Sequence, residues 1–314
     1  MHRYIIRRVL ETIPTLFILS IVVFLMVHMA PGDPASIMLG SYASKAEIEA
    51  FREEMGFNRP LHLQYVLWLG RAVQGNLGKS INSNLPVRKL IIERMPVTLS
   101  LAVLAVLISV LIALPLGVIA GIKQNTSYDQ FAMSFSLLGL SIPDFVAGLL
   151  LALLFSVELG WLPSMGYRPL TEGLVPWLRH LIMPSFALGF LMTAVTARMT
   201  RSSVIDVLRQ DYVVTARAKG LRESTVINRH VLKNAMIPIV TVIGINLGAV
   251  FRGAVVIETL FSLPGIGRLM ITGIQYRDYP VIQGVFLVIV VAYIVINLLV
   301  DLLYAWLDPR IHYT

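Results

Sequence analysis

Long apolar stretches alternate with short polar ones along this chain, and the apolar stretches predict its fold class. A helix needs about 20 mostly apolar residues to cross a bilayer. Six segments approach or exceed that length, at residues 9–30, 97–120, 131–157, 181–197, 235–257 and 281–303. The fourth is the weakest, because Pro184 and Gly189 interrupt it. The pattern predicts an all-α membrane protein with six transmembrane helices.

The same pattern divides the chain into three parts. Residues 1–30 are expected to form a retained anchor span, because Arg3, Arg7 and Arg8 precede an apolar run that has no small-residue cleavage site. Residues 31–96 contain a helix-like stretch at 61–73 and a turn at 75–76, which indicates an ordered subdomain outside the cytoplasm. Residues 97–308 hold the other five spans and form the predicted membrane core.

Composition supports a membrane location. The chain is 56% hydrophobic and 14% charged, whereas soluble chains are about 25% charged. It contains no cysteine, which excludes disulfides, thiolate metal sites and cysteine nucleophiles. The formal charge of +8 raises the question of nucleic acid binding. No basic patch is interleaved with aromatic residues, so a nucleic acid partner is not expected.

The basic residues instead indicate topology. Eight basic and three acidic residues lie in the segment 198–234, which follows the fourth span. Basic residues collect in the cytoplasmic loops of membrane proteins. This segment is therefore predicted to be a cytoplasmic loop in a multi-pass protein with both termini in the cytoplasm.

Within this loop the sequence predicts a helix, a glycine corner and a second helix. Residues 210–219 favour a short helix, and Gly220 suits the left-handed position that ends it. A second helix is expected to start at Glu223 or Ser224 and to run through Asn234. The residues alone leave two interpretations open: a solvated amphipathic connector, or a stiff element that docks onto a cytosolic partner.

The loop resembles a known family. YVVTARAKGL at 212–221 and RHVLKNAMIP at 229–238 are similar to the conserved cytoplasmic loop of ABC importer permeases, in the form found in the dipeptide, oligopeptide, nickel and glutathione group. A glutamate of the general pattern is replaced by Val214 and a proline by Lys233, as is common in that group. PGDP at 31–34 and stretches at 155–166, 258–284 and 300–311 also resemble this group, so the resemblance covers essentially the whole chain.

The resemblance implies the architecture of a type I ABC importer permease in the bacterial cytoplasmic (inner) membrane, with a permease core at 97–308 and a coupling loop at 198–234. It implies four further subunits: a homologous second permease, two cytoplasmic ATP-binding subunits and an extracytoplasmic substrate-binding protein, with the lipid bilayer around the permeases. The expected coupling contacts to the ATPases are Asp211, Tyr212, Thr215, Ala216, Arg217, Ala218, Lys219 and Gly220.

No catalytic residues are expected on this chain. It lacks a Walker loop, a His-Glu-x-x-His helix and a Gly-x-Ser-x-Gly elbow. ATP and magnesium are therefore expected on the partner subunits, and no cofactor on this one. The six histidines are scattered, so no metal site is predicted.

Ionisable residues within or near the spans are candidates for a substrate pathway, since such residues are costly in a bilayer and usually face an interior or an aqueous path. Asp144, Arg252 and Glu258 are the candidates. Structural partners for other polar groups are the alternative role for each of them.

The transported solute stays open at this stage. Peptides are favoured, while glutathione and nickel complexes are the alternatives within the same group. Outside the group, a stand-alone ion-coupled transporter would place acidic residues together at mid-membrane, and a membrane scaffold would have no use for Pro143–Asp144 within a span.

Overall fold

The computed structural model describes residues 2–28, 34–39 and 43–307, and these form helices joined by short connections. The α-helices, numbered α1 to α13 in chain order, are His2–His28, Pro34–Leu39, Lys45–Met55, Leu61–Val73, Val87–Ile122, Ser127–Ser141, Asp144–Ala152, Leu174–Leu208, Asp211–Ala218, Glu223–Thr225, Leu232–Leu260, Ile266–Gln275 and Tyr279–Leu307. Single π-helical turns at Leu153–Glu158 and Val226–Val231 extend α7 and join α10 to α11.

The all-helical prediction is confirmed for the described residues, and four helices are long and apolar enough to cross a membrane. They are Val87–Ile122, Leu174–Leu208, Glu223–Leu260 and Tyr279–Val300. The pair formed by α6 and α7 counts as a fifth span if it is taken as one broken span. The first predicted span supplies a shorter apolar stretch, Leu10–Met26. Its predicted end at residue 30, the motif residues 31–33 and the end of the core at 308 lie outside the described residues.

The third predicted span, 131–157, is not one straight helix. The axes of its two halves, α6 and α7, differ by 101°. The bend falls at Ile142, which is extended, and Pro143, which precedes α7. Proline has no backbone N–H to donate and disfavours the helical conformation in the residue before it, so a helix stops there. Asp144 therefore starts a short helix instead of lying inside a span.

The described residues form two compact units. The first comprises Met1–Pro96 with Pro264–Val295. In this unit the buried side chains of Val87, Leu90, Ile266, Leu269, Val281 and others form an apolar cluster. The buried carboxylate of Asp278 accepts a hydrogen bond from the Ser80 hydroxyl (2.6 Å) and another from the Asn82 amide (3.3 Å). These bonds attach the segment before α5 to the start of α13.

The second unit comprises Val97–Leu263 with Ile296–Thr314. Helix α8 lies at its centre and packs against α6, α7 and α11. Small residues allow close packing: a Cβ on Gly189 would lie 2.6 Å from the Ala105 carbonyl oxygen. Membrane helices gain van der Waals contact in this way, because lipid supplies no hydrophobic force between them. Asn246 of α11 adds an interhelical hydrogen bond to the Thr196 hydroxyl (3.1 Å).

Candidate functional site

Helix α9 is held in place by two apolar side chains, three residues apart, on its inner face. Val213 is fully buried and Ala216 is 6% exposed. Both belong to one apolar cluster of the second unit, whose other buried members are Val204, Val226, Val231, Ala235 and Ile239. This cluster joins α9 to the end of α8 and to the start of α11.

The remaining residues of the predicted coupling set are exposed. Asp211, Tyr212, Thr215, Arg217, Ala218, Lys219 and Gly220 all face away from the cluster. Ala216 alone in that set is buried, so it holds α9 in place and is covered by this chain's own side chains. Val214, which was not in the predicted set, is 57% exposed, and Tyr212 is 43% exposed. The two residues are two positions apart on the helix and therefore lie on different sides of it. The three-residue spacing of the apolar pair Val213 and Ala216 would have placed Val214 outside the buried face.

Gly220 ends α9 in the way that the sequence predicts. Its φ angle is +74°, which glycine adopts without a side-chain clash. The Leu221 amide donates to the Ala216 carbonyl (3.4 Å) and the Gly220 amide donates to the Arg217 carbonyl (2.9 Å). This pair of bonds is the Schellman arrangement. A Cβ at Gly220 would meet no atom within 4 Å, so the requirement for glycine is conformational.

An ion pair spans this corner. The Arg217 guanidinium donates two hydrogen bonds to the Glu223 carboxylate, from Nη2 to Oε1 at 2.6 Å and from Nε to Oε2 at 3.1 Å. Hydrogen bonding to Glu223 raises the pKa of Arg217 above its ordinary value. Both side chains are about half exposed, so the pair contributes at most about 1 kcal/mol to stability. Its main effect is to fix the angle between α9 and α10.

The second helix of the loop begins at Glu223, as predicted, and it is much longer than predicted. Glu223–Leu260 is one continuous helix that includes the fifth predicted span. A π-helical turn at Val226–Val231 lies where the loop gives way to the span. Such turns are frequent at functional sites. The corner is therefore connected directly to a helix that is long and apolar enough to cross the membrane.

A second ion pair, which the sequence did not predict, lies near the C-terminal end of α8. Arg201 of α8 donates from Nε and Nη2 to the Asp129 carboxylate of α6, at 2.5 and 2.8 Å. The Asp129 side chain is 6% exposed, and it also accepts from the Asn125 amide at 3.0 Å. Asp129 and Arg201 are 72 positions apart, so no local pattern in the sequence relates them.

The three pathway candidates have different surroundings. Glu258 is fully buried and accepts a hydrogen bond from the Thr98 hydroxyl at 2.5 Å. Arg252 is exposed on α11. Asp144 is partly exposed at the start of α7 and accepts from the Phe145 amide at 2.8 Å. A Cβ on Gly253 would lie 3.0 Å from Asp144 Oδ2, so the fold brings Asp144 beside the residue that follows Arg252.

No group of three or more histidine, aspartate or glutamate side chains that could hold a metal ion occurs in the described ranges. His28 interacts with protein groups instead. Its Nε2 lies 3.2 Å from Gln64 Oε1, and its Nδ1 lies 3.3 Å from the Phe24 carbonyl oxygen.

Helices long and apolar enough to cross a membrane, joined by a polar helical loop, define the class of an integral membrane protein. Comparison with known families agrees with this class. Residues 113–313 match the binding-protein-dependent transport system inner membrane component family, and residues 1–102 match its N-terminal family. The chain belongs to this family of ABC importer permeases.

Curated relatives match over the full length of the chain. It is 42% identical over 310 residues to the probable peptide ABC transporter permease protein y4tP of Sinorhizobium fredii, covering 99% of each chain. It is 44% identical over 313 residues to the glutathione transport system permease protein GsiC of Escherichia coli K12, covering 100% of each. The predicted importer permease group is thereby confirmed, in preference to an ion-coupled transporter or a scaffold.

Solved structures support the fold. The inward-facing MetNI methionine ABC transporter matches with a TM-score of 0.58 at 17% identity, over 70% of this chain and 96% of that one. An amino acid ABC transporter crystallised with histidines matches with a TM-score of 0.53 at 18% identity, over 69% and 94%. The chain is accordingly a multi-pass inner-membrane permease subunit with a type I importer fold.

Enlarging Ala216 should displace α9, whereas enlarging Val214 should not. We expect Ala216→Leu to destabilise the protein by about 1–3 kcal/mol through overpacking of the cluster. Val214→Leu adds apolar volume on the exposed face of the same helix and should change stability by less than about 0.5 kcal/mol. Thermal unfolding in detergent and limited proteolysis near residue 220 would measure both. Equal behaviour of the two variants would contradict this account of how α9 is held.

Proposed function

We propose that this chain is one of two homologous permeases forming the transmembrane passage of an ATP-driven importer of peptides or peptide-like solutes. Two cytoplasmic ATP-binding subunits drive it and an extracytoplasmic binding protein delivers the solute. The observation that carries the proposal is the cornered element from Asp211 to Glu223, which is seated on a buried cluster and continuous with the helix Glu223–Leu260. A relative named as a peptide permease favours peptides, and one named as a glutathione permease makes glutathione the second candidate. Nickel complexes are a third, less favoured candidate.

The mechanism that we propose is mechanical. Closure of the ATPases, which hold the ATP and magnesium, pushes on the exposed face of α9, formed by Asp211, Tyr212, Thr215, Ala218 and Lys219. The corner at Gly220 and the Arg217–Glu223 pair keep the angle between α9 and α10 constant. A displacement of α9 is therefore passed on to α11 and does not merely change that angle. Ala216 transmits it to α8 through the cluster. This chain moves and carries out no chemistry.

In this proposal the chain crosses the membrane six times, with α1 as the first span and the bent pair α6–α7 as the third. Both termini and the loop 198–234 lie in the cytoplasm, while residues 31–96 form the external subdomain. The basic character of that loop supports the orientation. Asp144 and Arg252 would line the passage. Glu258 would join them only if movement of the helices uncovers it.

Single cysteines can test this topology, because the chain has none of its own. In intact spheroplasts, a membrane-impermeant maleimide should label cysteine at Lys45, on the external subdomain, and should fail to label cysteine at Lys219. Both positions are exposed in the structure. After permeabilisation both should react. Labelling of the Lys219 position from outside would exclude the proposed orientation.

Replacing Gly220 should uncouple ATP hydrolysis from uptake. Gly220→Val places a β-branched residue at φ +74°, a conformation that costs on the order of 1–3 kcal/mol for such residues. We expect uptake by the reconstituted complex to fall while the complex stays assembled and ATP hydrolysis continues. Gly220→Asn is the matched control, because asparagine tolerates left-handed φ and should preserve uptake. Normal uptake with valine would refute the corner mechanism.

Charge reversal at Arg217 tests whether this loop docks onto the ATP-binding subunits. It also distinguishes a direct contact of Arg217 with a partner from its role in the ion pair with Glu223. When the tagged permease is purified from mild detergent, a second permease and ATP-binding subunits should co-purify, and Arg217→Glu should reduce the recovery of the ATPases. The exchange of both residues, Arg217→Glu with Glu223→Arg, restores an opposite-charge pair. If recovery returns, the residue acts through the corner; if it does not, the charge at 217 itself contacts a partner. A permease that purifies without other subunits and transports without ATP would overturn the proposed function.

A further inference from the structure

A cavity of about 750 Å³ lies in the first unit, beside the C-terminal end of α1. Aromatic side chains form much of its wall: Phe24, Phe51, Phe57 and Trp68. Two cations, Arg71 and Lys79, also line it. No aspartate or glutamate occurs among the described residues of its lining. The cavity therefore suits a ligand that combines negative charge with apolar surface.

The two glutamine side chains of the cavity already donate hydrogen bonds to the protein. Gln64 donates to the Phe57 and Arg59 carbonyls at 3.0 and 2.7 Å. Gln283 donates to the Val23 carbonyl at 3.2 Å. Among the described residues, by contrast, Arg71 and Lys79 have neither a side-chain hydrogen bond nor an ion pair. The cavity can thus offer two unpaired cations to a ligand, beside the side-chain amides of Asn76 and Asn84.

Helix α4 separates this cavity from an exposed apolar surface. Gln64, Trp68 and Arg71, spaced four and three residues apart, line the cavity. The other side of α4 carries an apolar stripe at helical spacing: Leu63, Val66, Leu67 and Val73, which are 45, 61, 42 and 81% exposed. A helix that is polar on one side and exposes such a stripe on the other is typical of one lying in the membrane interface.

Helix α1, which packs against α4, also exposes apolar side chains. The two helices are joined by a hydrogen bond of 2.7 Å between the Ser20 and Tyr65 hydroxyls and by edge-on packing of Phe24 on Tyr65. Phe17, Ile18 and Val22 of α1 are about half exposed. Tyrosine and tryptophan side chains are enriched at the membrane–water interface. Both helices thus present apolar surface suited to acyl chains beside the cationic cavity.

We propose that this cavity binds the headgroup of an anionic phospholipid, with its phosphate held by Arg71 and Lys79 and its acyl chains lying along the exposed faces of α4 and α1. Arginine and lysine are the usual partners of phosphate. Two cations, on a lining whose described residues include no acid, favour a net negative headgroup over a zwitterionic one. The site is separate from the coupling element and does not depend on which solute is transported.

The retention of lipid by the purified permease tests the proposed headgroup site directly. The full-length permease, purified with its partner subunits, is exchanged into nanodiscs containing equal amounts of phosphatidylglycerol and phosphatidylcholine, re-extracted in mild detergent, and examined by native mass spectrometry. We expect the wild-type protein to retain phosphatidylglycerol in preference to phosphatidylcholine. Arg71→Gln with Lys79→Gln should lower this retention by roughly thirty-fold, since two cations near a membrane surface are lost.

Two matched variants make the result specific. Lys45→Gln with Lys89→Gln removes the same charge from exposed positions of the same unit outside the cavity, and should leave retention unchanged. Arg71→Lys with Lys79→Arg keeps both charges and should preserve it. The proposal fails if the cavity variant retains phosphatidylglycerol like the wild type, if both neutralising variants lose it equally, if phosphatidylcholine is held equally well, or if a peptide solute displaces the lipid. Uptake by the same variants, reconstituted with their partner subunits into sealed liposomes, reports separately on the proposed transport function.

Discussion

The arrangement of the loop between α8 and α11 depends on the burial of one face of a short helix. Helix α9 has eight residues, too few to be stable alone in water. Val213 and Ala216 bury that face against α8 and the start of α11, and this burial is what keeps α9 helical. Everything exposed on α9 is positioned by these two side chains. A partner that contacts Tyr212 or Lys219 therefore contacts a surface already fixed relative to two long helices.

The corner at Gly220 and the Arg217–Glu223 ion pair orient α9 relative to the helix that follows it. Gly220 allows the chain to turn within one residue, and Arg217 holds Glu223 across the turn. The helix that follows continues from Glu223 to Leu260 without a gap. Because a helix is stiff along its axis, a displacement at the corner would move the far end of the span as well. A flexible loop of the same length would dissipate that displacement.

Helix α8 is the helix on which this part of the fold is assembled. It packs against α6, α7 and α11, its Gly189 lies close to Ala105 of α5, and it joins α6 through the Asp129–Arg201 pair. A largely buried carboxylate that lost its arginine would be left without a compensating charge, which is strongly unfavourable. The pair therefore ties α6 to α8 close to the end of α8 that leads into α9.

The sequence by itself determined the helical class, the approximate positions of most apolar spans, the helix–glycine–helix pattern and the family. These follow from local properties: apolar length, backbone preferences at Gly220 and matched motifs. The tertiary structure alone decided that Ala216 faces inward, that Arg217 pairs with Glu223 and that Thr98 meets Glu258 from 160 positions away. It also decided the 101° bend at Pro143, within a segment that the sequence predicts as one span. Such features depend on how each helix is rotated against its neighbours, and packing over the whole unit fixes that rotation.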